Sequence, residues 1–457
     1  MNSLFAIAAI TIRNTIRSRV VLCLLCLLVL FVFGLPLTIR GDGTLEGLVS
    51  IHLRYTLGFS VFLLSMVTVW AGCAAISTEI RNGQMHLLTT KPVRRSQIWL
   101  GKWMGLTALN AFLLAFTAVC AYGMLAWTTR PAVFTDAERR TLREDILVAH
   151  RYLSPVDADL RDTARRQFDL LAERDALPED LTRVEILRAL ENQIRRQAYS
   201  IPKGEARRWV FRVTHPPPED RDLYLQYRYS SSRLDLRPVP GRWRIAPLDG
   251  PGILVEHTET PPRTTATIAV PADLVDANGY LLVEFTNTSP SPVTVIFEPD
   301  RGLHLLVYES SFEMNLVRCL LTLLTQLAFL SAVGITAGAF FSFPVAALAS
   351  LYVVMLLHAG RIVAGMAERE SILALNEAAG PAWIFVDRAL LLFYRGLYRI
   401  LHPLEMMDPL EFLTRGRLIP WPDIGEAVII RILLYGGMIA LLGAWHLRRR
   451  ELGLPDD

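Results

Sequence analysis

The sequence predicts a polytopic α-helical membrane protein with six transmembrane helices and a large extracytoplasmic α+β domain that ends in a β-sandwich. Composition supports this fold class, because 52% of the 457 residues are hydrophobic and the mean hydropathy is +0.33, a value high for a soluble enzyme. Uncharged runs long enough to cross a bilayer recur along the chain. One long polar segment, residues 130–313, interrupts them.

Each uncharged run of about 20 residues predicts one membrane-spanning helix, since the hydrocarbon core of a bilayer is about 30 Å thick. Residues 319–360 contain no Asp, Glu, Lys or Arg, and one helix of that length would be about twice too long. This run therefore predicts two spans within 314–363, with a break at Gly338–Pro344 where glycine and proline loosen the helix. The remaining predicted spans are Val20–Ile39, Tyr55–Thr78, Trp103–Thr129 and Ala427–Trp445.

The distribution of Lys and Arg predicts that both termini are cytoplasmic. Basic residues cluster before the first span, between the second and third spans, and after the last span, and these three places lie on one side by parity. Residues 1–19 are expected to form an amphipathic elbow helix on that side, with Phe5, Ala9, Ile12 and Ile16 as its apolar stripe. The expected location is the bacterial inner membrane, with residues 427–457 forming the sixth span and a cytoplasmic tail.

Two arginines lie close to predicted span ends. Arg318 and Arg431 could line a substrate path, but the preferred interpretation is that each side chain snorkels to the lipid headgroups.

The polar segment 130–313 is predicted to lie outside the cytoplasm. Residues 135–200 are rich in charge and predict helices, whereas residues 205–313 alternate between apolar and polar side chains and predict a β-sandwich. A "DANG" sequence at Asp276–Gly279 predicts a turn between strands. The alternating apolar residues are Trp209, Phe211 and Val213, then Leu223, Leu225, Tyr227 and Tyr229, then Leu281, Val283 and Phe285.

Residues 364–426 form a second segment expected outside the cytoplasm. Within it, Arg388, Arg395 and Arg399 share one helical face, and apolar residues that include Leu390 and Phe393 share another. Charges at the membrane centre cost about 2.5 to 3.5 kcal/mol each on the insertion scale. An interfacial helix on the membrane surface is therefore expected rather than a further span.

The segment at residues 79–95 connects the second and third predicted spans and is basic. It is expected to hold a short helix crosswise beneath the membrane, with Pro92 ending that helix and Ser96 capping the third span. Two interpretations stay open on the residues alone. The loop could anchor the helices to anionic lipid, or it could transmit an applied force to both spans, which would explain apolar Met85 and Leu88 in a polar loop.

The run "NGQMHLLTTKPVRRSQIWLGKWMG", which follows an acidic residue leaving the second span, resembles the coupling-helix segment of the type 2 (ABC-2, NosY-like) family of ABC-transporter permeases. "FPVAALAS" at Phe343–Ser350 and "RRREL" at Arg448–Leu452 are also similar to that family. The matching residues of the first segment are Glu79, Gly83, Leu87, Leu88, Pro92, Val93, Arg95, Gly101 and Lys102.

The resemblance implies a permease that is driven by a separate ABC ATPase and that pairs with a second permease copy in the bilayer. Neither a cofactor, a metal ion nor nucleic acid is expected as a partner. Catalysis is not expected either, since the sequence has no G-x-x-x-x-G-K-[ST] loop for ATP and no H-x-x-x-H metal spacing. The residues expected to couple to the ATPase are Glu79, Arg81, Gly83, Met85, Leu87, Leu88, Pro92, Arg94 and Arg95.

A different class of function also fits the sequence. In this alternative the protein is a membrane-anchored binding or sensory protein, whose β-sandwich captures a ligand or partner while the membrane helices hold it in place. An associated ATPase would discriminate between the two.

Overall fold

The structure is a computed structural model. It describes residues 2–38, 45–83, 94–128, 147–156, 160–174, 183–214, 221–233, 235–257, 260–298, 302–367, 371–373, 381–405 and 408–449. The chain divides into two compact units. Unit 1 comprises Met1–Val148 and Ser311–Asp457, and unit 2 comprises Ala149–Ser310.

Unit 1 is helical. In chain order its first four helices are α1 (Asn2–Arg17), α2 (Arg19–Thr38), α3 (Leu45–Arg81) and α4 (Arg95–Thr128). After unit 2 the chain continues as α7 (Phe312–Phe340), α8 (Phe343–His358), α9 (Gly360–Ala367), α10 (Pro381–Glu405), α11 (Pro409–Thr414), α12 (Trp421–Ala427), a π-helical segment (Val428–Gly436) and α13 (Gly437–Arg449).

The apolar helices confirm a membrane protein. Within the described residues, four helices are long and apolar enough to cross a bilayer, namely Gly47–Arg81, Arg95–Trp127, Phe312–Phe340 and Trp421–Arg449. Helices α1 and α2 together would make a fifth candidate, but they meet at an angle of 72°. Helix α8 has 16 residues and so spans only about 24 Å. The predicted break in residues 319–360 occurs at Phe341 and Ser342, while a total of six spans stays a prediction.

Glycine allows α3 and α7 to approach closely. A Cβ atom added to Gly72 would lie 3.1 Å from the backbone of Gly334, and one added to Gly338 would lie 2.5 Å from the carbonyl oxygen of Cys73. Gly334 and Gly338 are one helical turn apart, the spacing by which small residues bring membrane helices together. Between the helices, Thr68 Oγ1 donates to Asn110 Oδ1 at 2.9 Å and Asn110 Nδ2 donates to Ser331 Oγ at 3.3 Å, which joins α3, α4 and α7.

Part of the segment predicted as an interfacial loop is buried instead. Leu413 and Ile419 belong to the hydrophobic core between α3, α4 and α7. Asn315 of α7 fixes this stretch, because its amide donates to Arg417 O at 2.9 Å and accepts from Ile419 N at 2.9 Å. The sequence does not indicate this burial, because the partner of the Arg417 and Ile419 backbone groups lies on α7, about 100 residues earlier in the chain. Helix α10 forms within the segment, and Phe393 of its predicted apolar face is exposed, while its position on the membrane surface stays a prediction.

The expectation that Arg431 snorkels is wrong. Arg431 lies in the π-helical segment and is 5% exposed. Its guanidinium donates to Leu404 O at 3.0 Å, Thr325 Oγ1 at 3.2 Å and Thr322 O at 3.4 Å. Leu404 is in the last turn of α10, where carbonyl groups lack partners within their helix. These acceptors hold the side chain inside the protein. Arg318 is half-buried, and its guanidinium donates to Ile419 O at 3.3 Å and lies 5.0 Å from the ring centre of Trp421.

The described residues of unit 2 form two β-sheets, the α-helices α5 (Leu160–Glu173) and α6 (Arg183–Ala198), and a short 3-10 helix at Ala272–Leu274. One sheet has the order β1-β10-β4-β9-β2 with β7 also paired to β4, and the other has the order β3-β8-β5-β6. The strands are β1 (Val148–Leu153), β2 (Ser200–Ile201), β3 (Ala206–Arg212), β4 (Leu223–Ser231), β5 (Gly241–Ala246), β6 (Ile253–His257), β7 (Thr265–Val270), β8 (Tyr280–Asn287), β9 (Val295–Phe297) and β10 (Leu303–Ser311).

The alternation in the sequence is confirmed as strand structure. In β4, Leu223, Leu225, Tyr227 and Tyr229 are buried while their neighbours are more exposed. Side chains of both sheets contribute to one hydrophobic core, in which the rings of Trp243 and Phe285 lie 4.7 Å apart. Such aromatic contacts add about 0.5 to 1.5 kcal/mol beyond area burial. The predicted "DANG" turn also forms, since Asp276 accepts hydrogen bonds from Asn278 N and Tyr280 N.

The prediction that residues 135–200 are helical needs a correction. Val148–Leu153 is a strand that joins β10 at the edge of the first sheet. Its sequence, "VAHRYL", is too short and too weakly alternating to be separated from the charged helical segment that follows it. The sheet partner, more than 150 residues later, decides its conformation. Residues 135–146 lie outside the described residues.

A buried histidine in unit 2 predicts how its stability depends on pH. His257 is 3% exposed, and its Nδ1 lies 2.8 Å from the hydroxyl group of Tyr227. Burial lowers the pKa of His257 to about 4, whereas a histidine in the unfolded chain has a pKa of about 6.5. As pH falls from 6.5 to 4, the unfolded chain gains a proton that the folded unit does not accept.

We therefore expect unit 2 to lose about 2 kcal/mol of unfolding free energy between pH 6.5 and pH 5 through this group. Hydrogen exchange of the amides in β4 and β6 of the full chain measures this loss. In His257→Gln the loss should disappear, while replacement of the exposed His402 by Gln should leave it intact. An unchanged pH slope in His257→Gln would contradict the assignment.

Candidate functional site

Five of the nine residues expected to couple to an ATPase are described by the structure, and they lie at the two ends of the connector between α3 and α4. Met85, Leu87, Leu88 and Pro92 lie in residues 84–93, outside the described residues. The described five are Glu79, Arg81, Gly83, Arg94 and Arg95.

Helix α3 ends at a glycine. Asn82 N donates to Thr78 O at 2.9 Å and Gly83 N donates to Ile80 O at 3.1 Å, which closes the last turn. Gly83 has a φ angle of 69°, in the left-handed region that side chains with a Cβ avoid and that commonly ends helices. Glycine at position 83 is therefore required by the backbone conformation that ends α3. Arg81, two residues earlier, is exposed.

A buried ion pair joins α3 to α4 one turn before this end. Lys102 Nζ donates to Glu79 Oε1 at 2.6 Å and to Ala75 O at 2.8 Å. The side chain of Lys102 is 2% exposed and that of Glu79 is 13% exposed. Such a lysine is tolerated because its charge is paired and hydrogen-bonded. The pair keeps the two helices at a constant separation where the connector begins.

The two adjacent arginines at the start of α4 have different partners. Arg94 caps the helix, because Arg94 O accepts from Gln97 N at 2.8 Å and Gln97 Oε1 accepts from Arg94 N at 3.1 Å. Ser96, which was expected to be the cap, lies inside the first turn. Gln97 accepts the bond from Arg94 N because its side chain is long enough to reach back three residues. The side chain of Arg95 donates to Leu447 O and, at 3.2 Å, to Arg448 O.

Arg95 thus connects α4 to the end of α13. The last carbonyl groups of a helix have no partners within it and carry partial negative charge, so an arginine is a favourable donor to them. The contact places the start of α4 beside Arg448, the first residue of the "RRREL" sequence that resembles the permease family.

Two glycines of α4 bring helix α1 into contact. A Cβ atom on Gly105 would lie 2.7 Å from Ala8 O, and one on Gly101 would lie 2.9 Å from Ile7. Ile7 and Ala8 are buried there, while Phe5 and Ile16 of the predicted apolar stripe are exposed. Ile12 of the stripe is instead half-buried and packs on the hydrophobic core, and the side of α1 that carries Ile7 and Ala8 packs on α4.

Hydrogen bonds connect α4 to α7 and α13 at the same level. Trp99 Nε1 donates to Thr336 Oγ1 at 3.1 Å, and Thr336 Oγ1 donates to Ile439 O at 3.3 Å. Gly443 leaves room for both side chains, since a Cβ there would lie 2.7 Å from Thr336 Oγ1. Together with the ion pair, these contacts attach both ends of residues 84–93 to a frame of α1, α3, α4, α7 and α13.

Sequence reasoning identified Glu79 but missed the role of Lys102, which it counted as a charge of the loop. It also missed Trp99 and Gly105. A signal existed for two of them: Lys102 directly precedes the predicted span Trp103–Thr129, and Gly101 and Gly105 are one helical turn apart. The sequence did not indicate the partners of Lys102, Trp99 and Gly105. These partners, Glu79, Thr336 and Ala8, lie on other helices.

Comparison with known protein families supports the membrane interpretation. Residues 5–139 match the family model described as ABC-2 family transporter protein. The matched region contains α1, α2, α3, the connector and α4. The match covers less than a third of the chain and does not address the NosY-like subtype. No curated protein matches the chain.

Removal of one partner from the ion pair should destabilise unit 1. Lys102→Met leaves the Glu79 carboxylate buried without its cation, which typically costs about 3 to 5 kcal/mol. The double variant Glu79→Leu with Lys102→Met should recover most of that loss, because replacement of a whole buried pair by apolar side chains is often neutral. Thermal unfolding of the purified protein in detergent measures both. Equal losses in the single and double variants would contradict the pairing.

Gly105→Ala and Gly123→Ala should have opposite effects although both lie on α4. Alanine at Gly105 must displace the backbone of α1, and such overpacking costs about 1 to 3 kcal/mol. A Cβ at Gly123 meets nothing within 4 Å, so the substitution should stabilise by up to about 1 kcal/mol through helix propensity. The same unfolding assay tests this, and stabilisation by Gly105→Ala would contradict the close approach.

Proposed function

We propose that this protein is the permease subunit of an ABC transporter and that residues 84–93 dock on a separate ABC ATPase. The observation that carries the proposal is the match of residues 5–139 to the ABC-2 transporter family, because the matched region includes the connector and both helices that flank it. Families of this kind supply the membrane part of the transporter, and the ATP-binding loop is expected on another chain.

The frame around the connector supports a coupling role. An ATPase that pulls on Met85, Leu87 and Leu88 would apply force at Gly83 and Arg94. Near Gly83 the Glu79–Lys102 pair joins α3 to α4, and at Arg94 the contact with Gln97 closes the start of α4. Since Arg95 also binds the end of α13, the force would reach the last helix of the chain. Rigid-body movement of packed helices is an established form of conformational switching.

The proposed arrangement has two permeases and two ATPases, with both termini of each permease in the cytoplasm and residues 130–313 outside it. In this arrangement α1 is the elbow helix on the cytoplasmic surface, α8 with α9 completes the fifth span, and α10 lies on the outer membrane surface. Residues 130–313 and 364–426 then lie on the same, outer side of the membrane. Unit 2 would act there on a substrate or partner.

A cysteine crosslink tests the docking. In a variant whose native cysteines are replaced, Leu87→Cys should crosslink to a co-expressed Walker-motif ATPase, such as one encoded next to this protein. Leu236→Cys, at a position in unit 2 that is 61% exposed, is the matched control and should not react with the ATPase. The yield from Leu87→Cys should change when ATP and vanadate are added, since closure of the ATPases moves the docked segment.

Gentle solubilisation of the tagged protein gives an independent measurement. An ATPase subunit should remain bound, and its ATP hydrolysis should rise in the complex relative to the isolated subunit. If no nucleotide-hydrolysing protein is retained and Leu87→Cys labels from the same side as Leu236→Cys, the permease assignment is overturned in favour of a membrane-anchored binding or sensory protein.

A further inference from the structure

A cavity of about 360 Å³ lies inside unit 1 where α1 bends into α2. Its size is at the lower end of the range for small-ligand pockets, about 300 to 1,000 Å³. The walls are formed by α1, the start of α2, α3 and Lys102 of α4. The lining residues with polar side chains are Thr11, Asn14, Thr15, Arg17, Ser18, Trp70, Thr78, Glu79 and Lys102.

Several polar groups of this cavity already use their hydrogens within the protein. Thr11 donates its hydroxyl hydrogen to Ile7 O, and Thr78 donates to Ala74 O. Each of these two hydroxyl oxygens can therefore only accept a bond from a ligand. The Lys102 ammonium group donates to Ala75 O and Glu79 Oε1. At the two threonines, a ligand must supply N–H or O–H groups.

Glu79 gives the strongest requirement for a donor. Its Oε1 is bound to Lys102, but its Oε2 is buried and has no hydrogen-bond partner within the part of the chain that the structure describes. A buried carboxylate oxygen without a partner is costly, and the cost is larger than for a neutral group. A cationic donor is the group that satisfies such an oxygen best, because charge-assisted hydrogen bonds are about twice as strong as neutral ones.

An exposed cation also lines the cavity. Arg17 is exposed, lines the cavity and ends α1, so it offers a guanidinium group suited to phosphate. Phe5, Ile10 and Ile16 of α1 are exposed, and such apolar side chains are suited to the boundary between acyl chains and headgroups. In the proposed arrangement, with α1 on the cytoplasmic membrane surface, the 72° angle between α1 and α2 puts the cavity at the level of the headgroups.

We propose that this cavity binds the headgroup of an aminophospholipid, with the primary ammonium group directed towards Glu79 and the phosphate towards Arg17. Phosphatidylethanolamine has the required order of charges, since its ammonium lies beyond its phosphate. Phosphatidylcholine has the same charges without N–H donors, and phosphatidylglycerol has the phosphate without a cation. The bound headgroup would fill the space between α1 and α3 and would steady the elbow beside the Glu79–Lys102 pair.

Native mass spectrometry of the delipidated full chain in detergent tests the site. Phosphatidylethanolamine, phosphatidylcholine and phosphatidylglycerol with identical acyl chains are titrated separately, and soluble phosphoethanolamine is titrated as a fourth ligand. We expect one tightly held phosphatidylethanolamine and an affinity at least tenfold above that for phosphatidylcholine. Phosphoethanolamine alone should bind much more weakly, because it lacks the acyl chains that lie in the bilayer.

Variants locate the binding. Glu79→Gln keeps an acceptor for Lys102 but removes the carboxylate charge, and it should abolish the preference for phosphatidylethanolamine over phosphatidylcholine. Ala74→Leu projects a side chain into the cavity and should weaken phosphatidylethanolamine binding at least tenfold. Ala115→Leu, on the exposed side of α4, is the matched control and should bind like the unmodified chain. Thermal unfolding identifies any variant that fails to fold.

Equal binding of phosphatidylethanolamine and phosphatidylcholine would overturn the role of Glu79, and tighter binding of phosphatidylglycerol would show an anion site at Arg17 alone. If phosphoethanolamine bound as tightly as the lipid, the ligand would be a free amine phosphate rather than a membrane component. None of these measurements involves an ATPase, so the lipid site and the proposed coupling function can fail separately.

Discussion

The buried ion pair between Glu79 and Lys102 is the constraint on which the organisation of unit 1 depends. A lysine that is 2% exposed can be placed inside a helical unit only when a carboxylate and a carbonyl group receive its hydrogens. Those acceptors, Glu79 and Ala75 O, both lie on α3, so the position of α4 relative to α3 is determined at the point where the connector leaves the membrane helices. Such a pair fixes the relative position of the two helices more than it adds net stability.

Small residues extend that constraint to other helices. Gly101 and Gly105 bring α1 against α4, while Gly72, Gly334 and Gly338 bring α3 against α7. In a membrane the hydrophobic effect does not distinguish a helix neighbour from lipid, so close packing and hydrogen bonds must hold helices together. The hydrogen bonds of Trp99, Asn110 and Thr336 occur beside these close approaches. We expect helices that are joined by both close packing and hydrogen bonds to move together.

Features that depend on local sequence were predictable, and those that depend on distant partners were not. The apolar helices, the break before Pro344, the strands of unit 2 and the Asp276 turn all follow from periodicity or from residues a few positions apart. Strand β1, the buried stretch around Ile419 and the environment of Arg431 each depend on a partner more than 90 residues away in sequence. From hydropathy alone, Arg431 is an arginine near the end of a predicted span. The carbonyl groups that accept its hydrogen bonds lie on other helices, so the sequence around Arg431 does not indicate them.

The environment of Arg431 shows why a force on the connector would not be absorbed locally. Arg431 ties the π-helical segment to Thr322 and Thr325 of α7 and to the end of α10, while Trp99 and Thr336 tie α7 to α4 and α13 near the connector. Helix α7 and the Trp421–Arg449 helix are therefore joined at two levels. A π-helical turn is a less regular hydrogen-bonded segment that often marks functional positions. Displacement of α4 would consequently be resisted along α7 and along the Trp421–Arg449 helix, and the hydrogen bonds of Arg431 include the π-helical segment in that connection.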